Sequence, residues 1–200
     1  MYQSGYTCRM RWTVCLVAIT LAGACTTKEE EEKPPPPCVP DEGEPNDSVA
    51  EATSLGALQD DAELGQKDAA PTKVMKAFTT HTETDVDWYT VDVRDTGLGG
   101  NPQISVIVGD GHEATAFWSC TNGPTESVRC PKGTLVTDDP DLPSVHGCVT
   151  VVPAASVPPQ LGMQIECADT PTDSGKLQIR VKRTAPADTC ERYTLTVVVE

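Results

Sequence analysis

Apolar and polar residues alternate with a period of two along much of this chain. Tyr89, Val91 and Val93 share one face while Thr90 and Asp92 take the other, and Ile104, Val106 and Val108 alternate with Gln103 and Ser105. Nearer the end, Leu177, Ile179 and Val181 alternate with Lys176, Gln178, Arg180 and Lys182, and Tyr193, Leu195 and Val197 alternate with Thr194 and Thr196. Successive strand side chains point to opposite faces, so each run reads as a strand with one face in a core. Residues 73–80, 114–120, 147–152 and 163–167 are further strands, separated by clusters of Gly, Pro, Asp and Asn. Eight or so short strands with turns between them predict an all-β fold, an antiparallel jelly-roll-like β-sandwich. The single helical signal is 48–55, where Ser48 and Glu51 have the spacing of a capping box. The same alternation puts Tyr89 and Tyr193 inside, and leaves Trp88 and Trp118 either as ligand platforms or as part of the core and its rim.

The first 24 residues follow a different pattern. Arg9 and Arg11 precede an almost wholly apolar run, residues 12–21, and Ala22-Gly23-Ala24 leads into Cys25. A membrane-spanning helix needs about 20 apolar residues, so this run is a removable secretory leader. The segment resembles a bacterial lipoprotein signal, which implies that Cys25 becomes the lipid-bearing first residue, on the outer membrane or cell surface. Ala22 stands where such signals usually carry leucine, and Ala22-x-Ala24 also suits ordinary signal peptidase. Residues 25–37 then form a tether: TTKEEEEKPPPP holds four consecutive glutamates and four prolines, too polar to fold and stiffened by polyproline II. Residues 38–200 remain as one folded domain, large enough to bury about two thirds of its surface.

Charge and cysteine count narrow the chemistry. Fifteen Lys+Arg against 30 Asp+Glu give a formal net charge of -15, and removal of Arg9 and Arg11 makes the rest more acidic. That excludes nucleic acid and anionic membrane surfaces as direct partners and is compatible with divalent cations. Of the nine cysteines, Cys8 and Cys15 leave with the leader. Lipidation of Cys25 leaves Cys38, Cys120, Cys130, Cys148, Cys167 and Cys190 to pair as disulfides in an oxidising compartment, whereas a free Cys25 leaves one thiol orphaned. Six cysteines allow 15 pairings. The spacing favours a local Cys120–Cys130 bridge across a Gly-Pro turn, Cys148 with Cys167, and Cys38 with Cys190. His81, His112 and His146 are far apart in sequence, and each reads as an exposed loop residue.

The residues from 42 onward carry a resemblance. Glu42-Gly43-Glu44-Pro45-Asn46-Asp47-Ser48, then ATSLG at 52–56, then Asp85-Val86-Asp87-Trp88-Tyr89 are similar, in that order, to the bacterial pre-peptidase C-terminal domain. The likeness spans about residues 42–108. The cysteine-rich half beyond it resembles disulfide-bearing lipoprotein variants of Gram-negative bacteria. The resemblance implies a secreted, non-catalytic jelly-roll sandwich that in some members binds calcium, collagen or polysaccharide. It also implies a structural calcium held by Glu42, Glu44, Asn46, Asp47, Asp85 and Asp87. Residue chemistry reaches the same ion separately: three carboxylates and an amide oxygen within six residues make a half-site for a cation that takes six to eight oxygens. Equally, Asn46 or Asp47 caps the short helix and the DxD pair are solvated turn acids. About forty residues separate the two motifs, and 59–71 reads as an insertion.

No G-x-S-x-G, HExxH or phosphate loop occurs. Asp138, Asp139 and Asp141 read as a surface turn beside Pro140 and Pro143, and His112 near Asp110 and Glu113 as another turn. The expected protein is therefore an envelope lipoprotein whose calcium-stabilised, non-enzymatic module binds an extracellular protein or polysaccharide. A structural lipoprotein with no soluble ligand and a minor secreted hydrolase are the alternatives.

Overall fold

A computed structural model describes residues 39, 41–60, 72–82, 84–95, 101–151, 157–168, 172–184 and 190–200. All lie in the second of the two units into which the chain divides, Pro35–Glu200. The expected leader, Cys25 as the expected site of lipid attachment, the expected tether and Cys38 lie outside the described residues.

Eleven strands are present among the described residues: β1 (Thr53–Gln59), β2 (Lys73–Thr80), β3 (Val86–Arg94), β4 (Gln103–Val108), β5 (His112–Cys120), β6 (Thr125–Lys132), β7 (Thr134–Val136), β8 (Gly147–Val149), β9 (Gln160–Cys167), β10 (Gly175–Arg183) and β11 (Glu191–Val199). They form a β-sandwich of two sheets, ordered β1-β3-β10-β5-β8-β7 and β2-β11-β4-β9-β6. Every described pairing is antiparallel except β1 with β3. Those two run parallel because the chain crosses into the other sheet as β2 between them. The alternating residues meet between the sheets: Tyr89, Val91, Ile104, Val106, Leu177, Ile179, Val181, Leu195 and Val197 are all buried in one core.

Three segments depart from expectation. The helix expected at 48–55 is one 3-10 turn, Val49–Glu51, and Ser48 makes no cap to the backbone; its hydroxyl donates instead to Glu51 Oε2 at 2.9 Å. The chain then enters β1, where the register against β3 shifts between Ser54 and Ala57. Gly56 sits in that shift at φ +92°, a conformation that suits glycine, and the irregularity breaks the alternation that would mark a strand. The Gly-Pro turn expected between Cys120 and Cys130 lies mostly in β6, whose pairing with β9 shifts register twice.

The disulfides also differ from the pairing expected. Cys120 bonds Cys167, and Cys130 bonds Cys148. Cys120 ends β5 in the six-stranded sheet while Cys130 sits on β6 in the other, so no hairpin joins them. Each bridge ties one sheet to the other. By loop closure alone the two would stabilise by about 4 and 3 kcal/mol respectively. Cys190 is disulfide-bonded as well; Cys38, its expected partner, is outside the described residues.

Candidate functional site

The segment that carries Glu44 and Asn46 is stitched to both sheets. Asp41 accepts from the backbone N–H of Gly43 and of Thr79 on β2, Thr53 on β1 donates to the Gly43 carbonyl, and Trp88 N on β3 donates to the Asn46 carbonyl at 2.8 Å. These bonds lay the acidic segment over the crossover between β2 and β3. His81 follows the end of β2, and Asp85 precedes β3. Glu44, His81 and Asp85 thereby each offer a ligand atom, all within 4.8 Å of one another. His81 Nδ1 is 2.8 Å from Glu44 Oε1 and 3.3 Å from Asp85 Oδ2, and the His81 backbone N–H donates to that same Asp85 oxygen. An open cleft of about 400 Å³ fronts the cluster, lined by Glu44, Asp47, His81, Thr82, Thr84, Asp85 and Val86.

Behind the cleft lies a buried polar chain. Tyr89 and Tyr193 join hydroxyls at 2.6 Å, and Tyr193 donates to Asp87 Oδ2. With its amide turned to satisfy its neighbours, Asn46 Nδ2 donates to Asp87 Oδ1 and to Glu44 Oε2, both at 3.2 Å. Hydrogen bonds therefore run from the tyrosine pair to the cleft. Burial pushes Asp87 up to about 7, and the nearby carboxylates Asp85, Glu44 and Asp41 push the same way against the hydrogen bond from Tyr193. Burial and then Asp85 raise Glu44. Burial and then the hydrogen bond with Asp85 raise Asp47. For His81, burial opposes protonation, but the Val39 carbonyl, Glu44 and Asp85 outweigh it and its pKa is raised.

The structure thus splits the six expected calcium ligands. Glu44, Asp47 and Asp85 line the cleft. Asn46 and Asp87, each 1% exposed, are turned to the chain behind it, and Glu42 is exposed and outside the cleft lining. His81, expected in an exposed loop, stands between two of the acids. A histidine contributed from beyond β1 has no spacing signature, so only the fold brings it beside the acids. His112 is also not a loop residue: it begins β5, is fully buried, and shares Thr80 Oγ1 with Arg183. His146 is exposed.

Trp88 and Trp118 are not ligand platforms, since each is 1% exposed. Trp118 points between the sheets into the core. Trp88 does face outward, but Arg180 from the adjacent β10 lies over its ring and over that of Phe117, at 5.5 and 5.7 Å. Arg180 is in turn clasped by Asp139 at 3.0 and 2.8 Å and by Asp141 at 2.9 Å. Asp139, expected in a surface turn, is buried by this contact.

No family model and no curated protein matches the chain. Among solved structures it is similar to a mutant of PliG-Ec, a periplasmic inhibitor of g-type lysozyme from Escherichia coli, at 12% identity over 72% of this chain and 98% of that one, with a TM-score of 0.30. It is likewise similar to CorA, a surface-associated copper-binding protein important in copper acquisition in Methylomicrobium album BG8, at 13% identity over 74% and 99% with a TM-score of 0.32. Likenesses this loose bear on neither function nor ligand.

Proposed function

We propose that the chain is an exported, lipid-anchored, non-catalytic binding module whose sandwich holds a divalent cation at the crossover between β2 and β3 and recognises an extracellular protein or polysaccharide. The observation that carries the cation reading is the convergence of Glu44, His81 and Asp85 ligand atoms within 4.8 Å at the edge of an open cleft. No lysine or arginine is among the described residues lining that cleft. Disulfides at Cys120, Cys130, Cys148, Cys167 and Cys190 support an oxidising compartment. No helix among the described residues is long and apolar enough to cross a membrane, and attachment is assigned to acylated Cys25. The pre-peptidase C-terminal resemblance agrees with a binding role.

A bound ion would be structural, joining the segment at 44–47 to the β2–β3 crossover. At ten times its dissociation constant it would stabilise the fold by about 1.4 kcal/mol. Thermal melting of the purified chain in chelator, then with calcium or zinc, tests this. A dication should raise the melting temperature, and Glu44→Gln with Asp85→Asn should abolish the rise. No response of the unaltered chain to any dication removes the metal from the function. Mass spectrometry of the envelope-purified amino terminus tests the anchor: an unmodified Cys25 rejects it.

A further inference from the structure

We infer that the cleft is a transition-metal site, zinc-like in preference, in which Nδ1 of His81 is the selecting ligand and calcium is the disfavoured ion. This rests on the cation reading above and narrows it. The sequence alone offered calcium five carboxylates and an amide. The fold withdraws half of that set: Glu42 stays outside the cleft lining, Asp87 accepts from Tyr193 and from Asn46, and the Asn46 amide is spent as a donor to Asp87 and Glu44. What remains is Glu44 and Asp85, with Asp47 beside them in the lining. Calcium takes six to eight hard oxygen ligands, and these three are the carboxylates among the described lining residues.

In exchange, the fold inserts an imidazole. Nitrogen donors mixed with carboxylates suit zinc, copper and nickel, whereas calcium and magnesium are held by oxygen. Three protein ligands with a fourth position open to solvent is also the arrangement of an accessible zinc centre. The spacing agrees. Two ligands each about 2.1 Å from one ion lie roughly 3.0–3.4 Å apart, and His81 Nδ1 stands 2.8 and 3.3 Å from its two carboxylate oxygens. Small outward shifts would admit an ion among the three groups.

The outer contacts hold the ligands in place for that purpose. Asn46 Nδ2 engages Glu44 Oε2, which leaves Oε1 to face the imidazole, and the His81 backbone N–H fixes Asp85. Such supporting bonds orient ligands at metal centres. They also rank the ligands: Glu44 Oε1, His81 Nδ1 and Asp85 Oδ2 bind first, with Asp47 and solvent completing the shell.

Isothermal titration of the oxidised full chain at pH 7.5, with zinc and with calcium separately, decides the matter. One zinc per chain should bind at least 100-fold more tightly than calcium, and His81→Gln should lower zinc affinity at least 100-fold while leaving the weak calcium response unchanged. In the unaltered chain the His81 Nδ1 NMR signal should shift on adding zinc and stay in place with calcium, a readout independent of how any variant folds. Calcium binding as tight as zinc, or zinc binding that leaves His81 Nδ1 unmoved, overturns the selection while preserving a cation site. Binding of neither ion overturns the cation reading itself.

Discussion

Asp139 and Asp141 in one region, and Glu44 and Asp85 in another, are all acids of turn-rich segments in an acidic chain. In the fold each pair closes on a single base, but the bases differ. Asp139 and Asp141 close on Arg180, whose guanidinium rests on Trp88 and Phe117. There one permanently charged arginine serves two carboxylates and anchors the connection between β7 and β8 to the sheet. At the cleft the only basic side chain among the described lining residues is His81. Glu44 is raised by burial and by Asp85 while His81 opposes the rise, so the relief this cluster receives depends on the protonation of one imidazole. Like acidic clusters thus differ in the base that the fold supplies, a permanently charged arginine at one and a titratable histidine at the other.

Removing the central base from each cluster is the strongest test of that contrast. Arg180→Ala leaves Asp139 buried beside its absent partner and uncovers two aromatic rings, so chemical denaturation should show a loss of about 3 kcal/mol or more. His81→Gln leaves Glu44 partly exposed and keeps the backbone N–H of position 81 on the buried Asp85, so it should cost less, about 1 to 2 kcal/mol. Equal losses would mean that both clusters are structural ion pairs.

Proton linkage gives a smaller and more specific effect. Asp87 has a folded pKa raised to about 7 from the ordinary 3.8. Between those values the folded state holds a proton that the unfolded chain has released, so this group makes stability fall as pH rises through the window and level off above it. In chelator, Asp87→Asn should therefore flatten the fall in melting temperature between pH 4 and pH 8 relative to the unaltered chain. An identical profile in the variant would show that the polar chain behind the cleft does not hold that proton.

The finest distinction lies between two histidines. His81 is raised from 6.5 by the Val39 carbonyl and its two acids against the effect of burial, while burial lowers His112 despite the Asp110 carbonyl, with Arg183 adding to the lowering. The His81 contribution to stability is present below 6.5 and lost as pH rises through its folded value. The His112 contribution is present above 6.5 and lost as pH falls. NMR titration of the metal-free chain should place the His81 midpoint above that of His112, and the reverse order would contradict the electrostatics of the cleft.

Much of the sandwich was legible in the residues themselves, because a two-sheet fold buries every second side chain of a strand. The patterns at 89–93, 104–108, 177–181 and 193–199 mark β3, β4, β10 and β11 without reference to any neighbour. Where a bulge interrupts the period, as at Gly56 in β1 and along β6, the signal vanishes although the strand forms. The alternation left Trp88 open between a ligand platform and the core and its rim. It carried no information about Arg180 on the adjacent strand, which covers that tryptophan.

The sequence by itself determined strand periodicity, the acidic balance, an even set of cysteines after Cys25, and carboxylates gathered at 42–47 and 85–87. Tertiary structure alone decided which cysteines meet across the sheets, which acids receive an arginine, and that His81 enters the cleft while Asp87 turns away from it. The physical reason is range. Periodicity and charge are properties of adjacent residues, whereas disulfide partners, ion pairs and metal ligands depend on distances that exist only after two sheets have packed together.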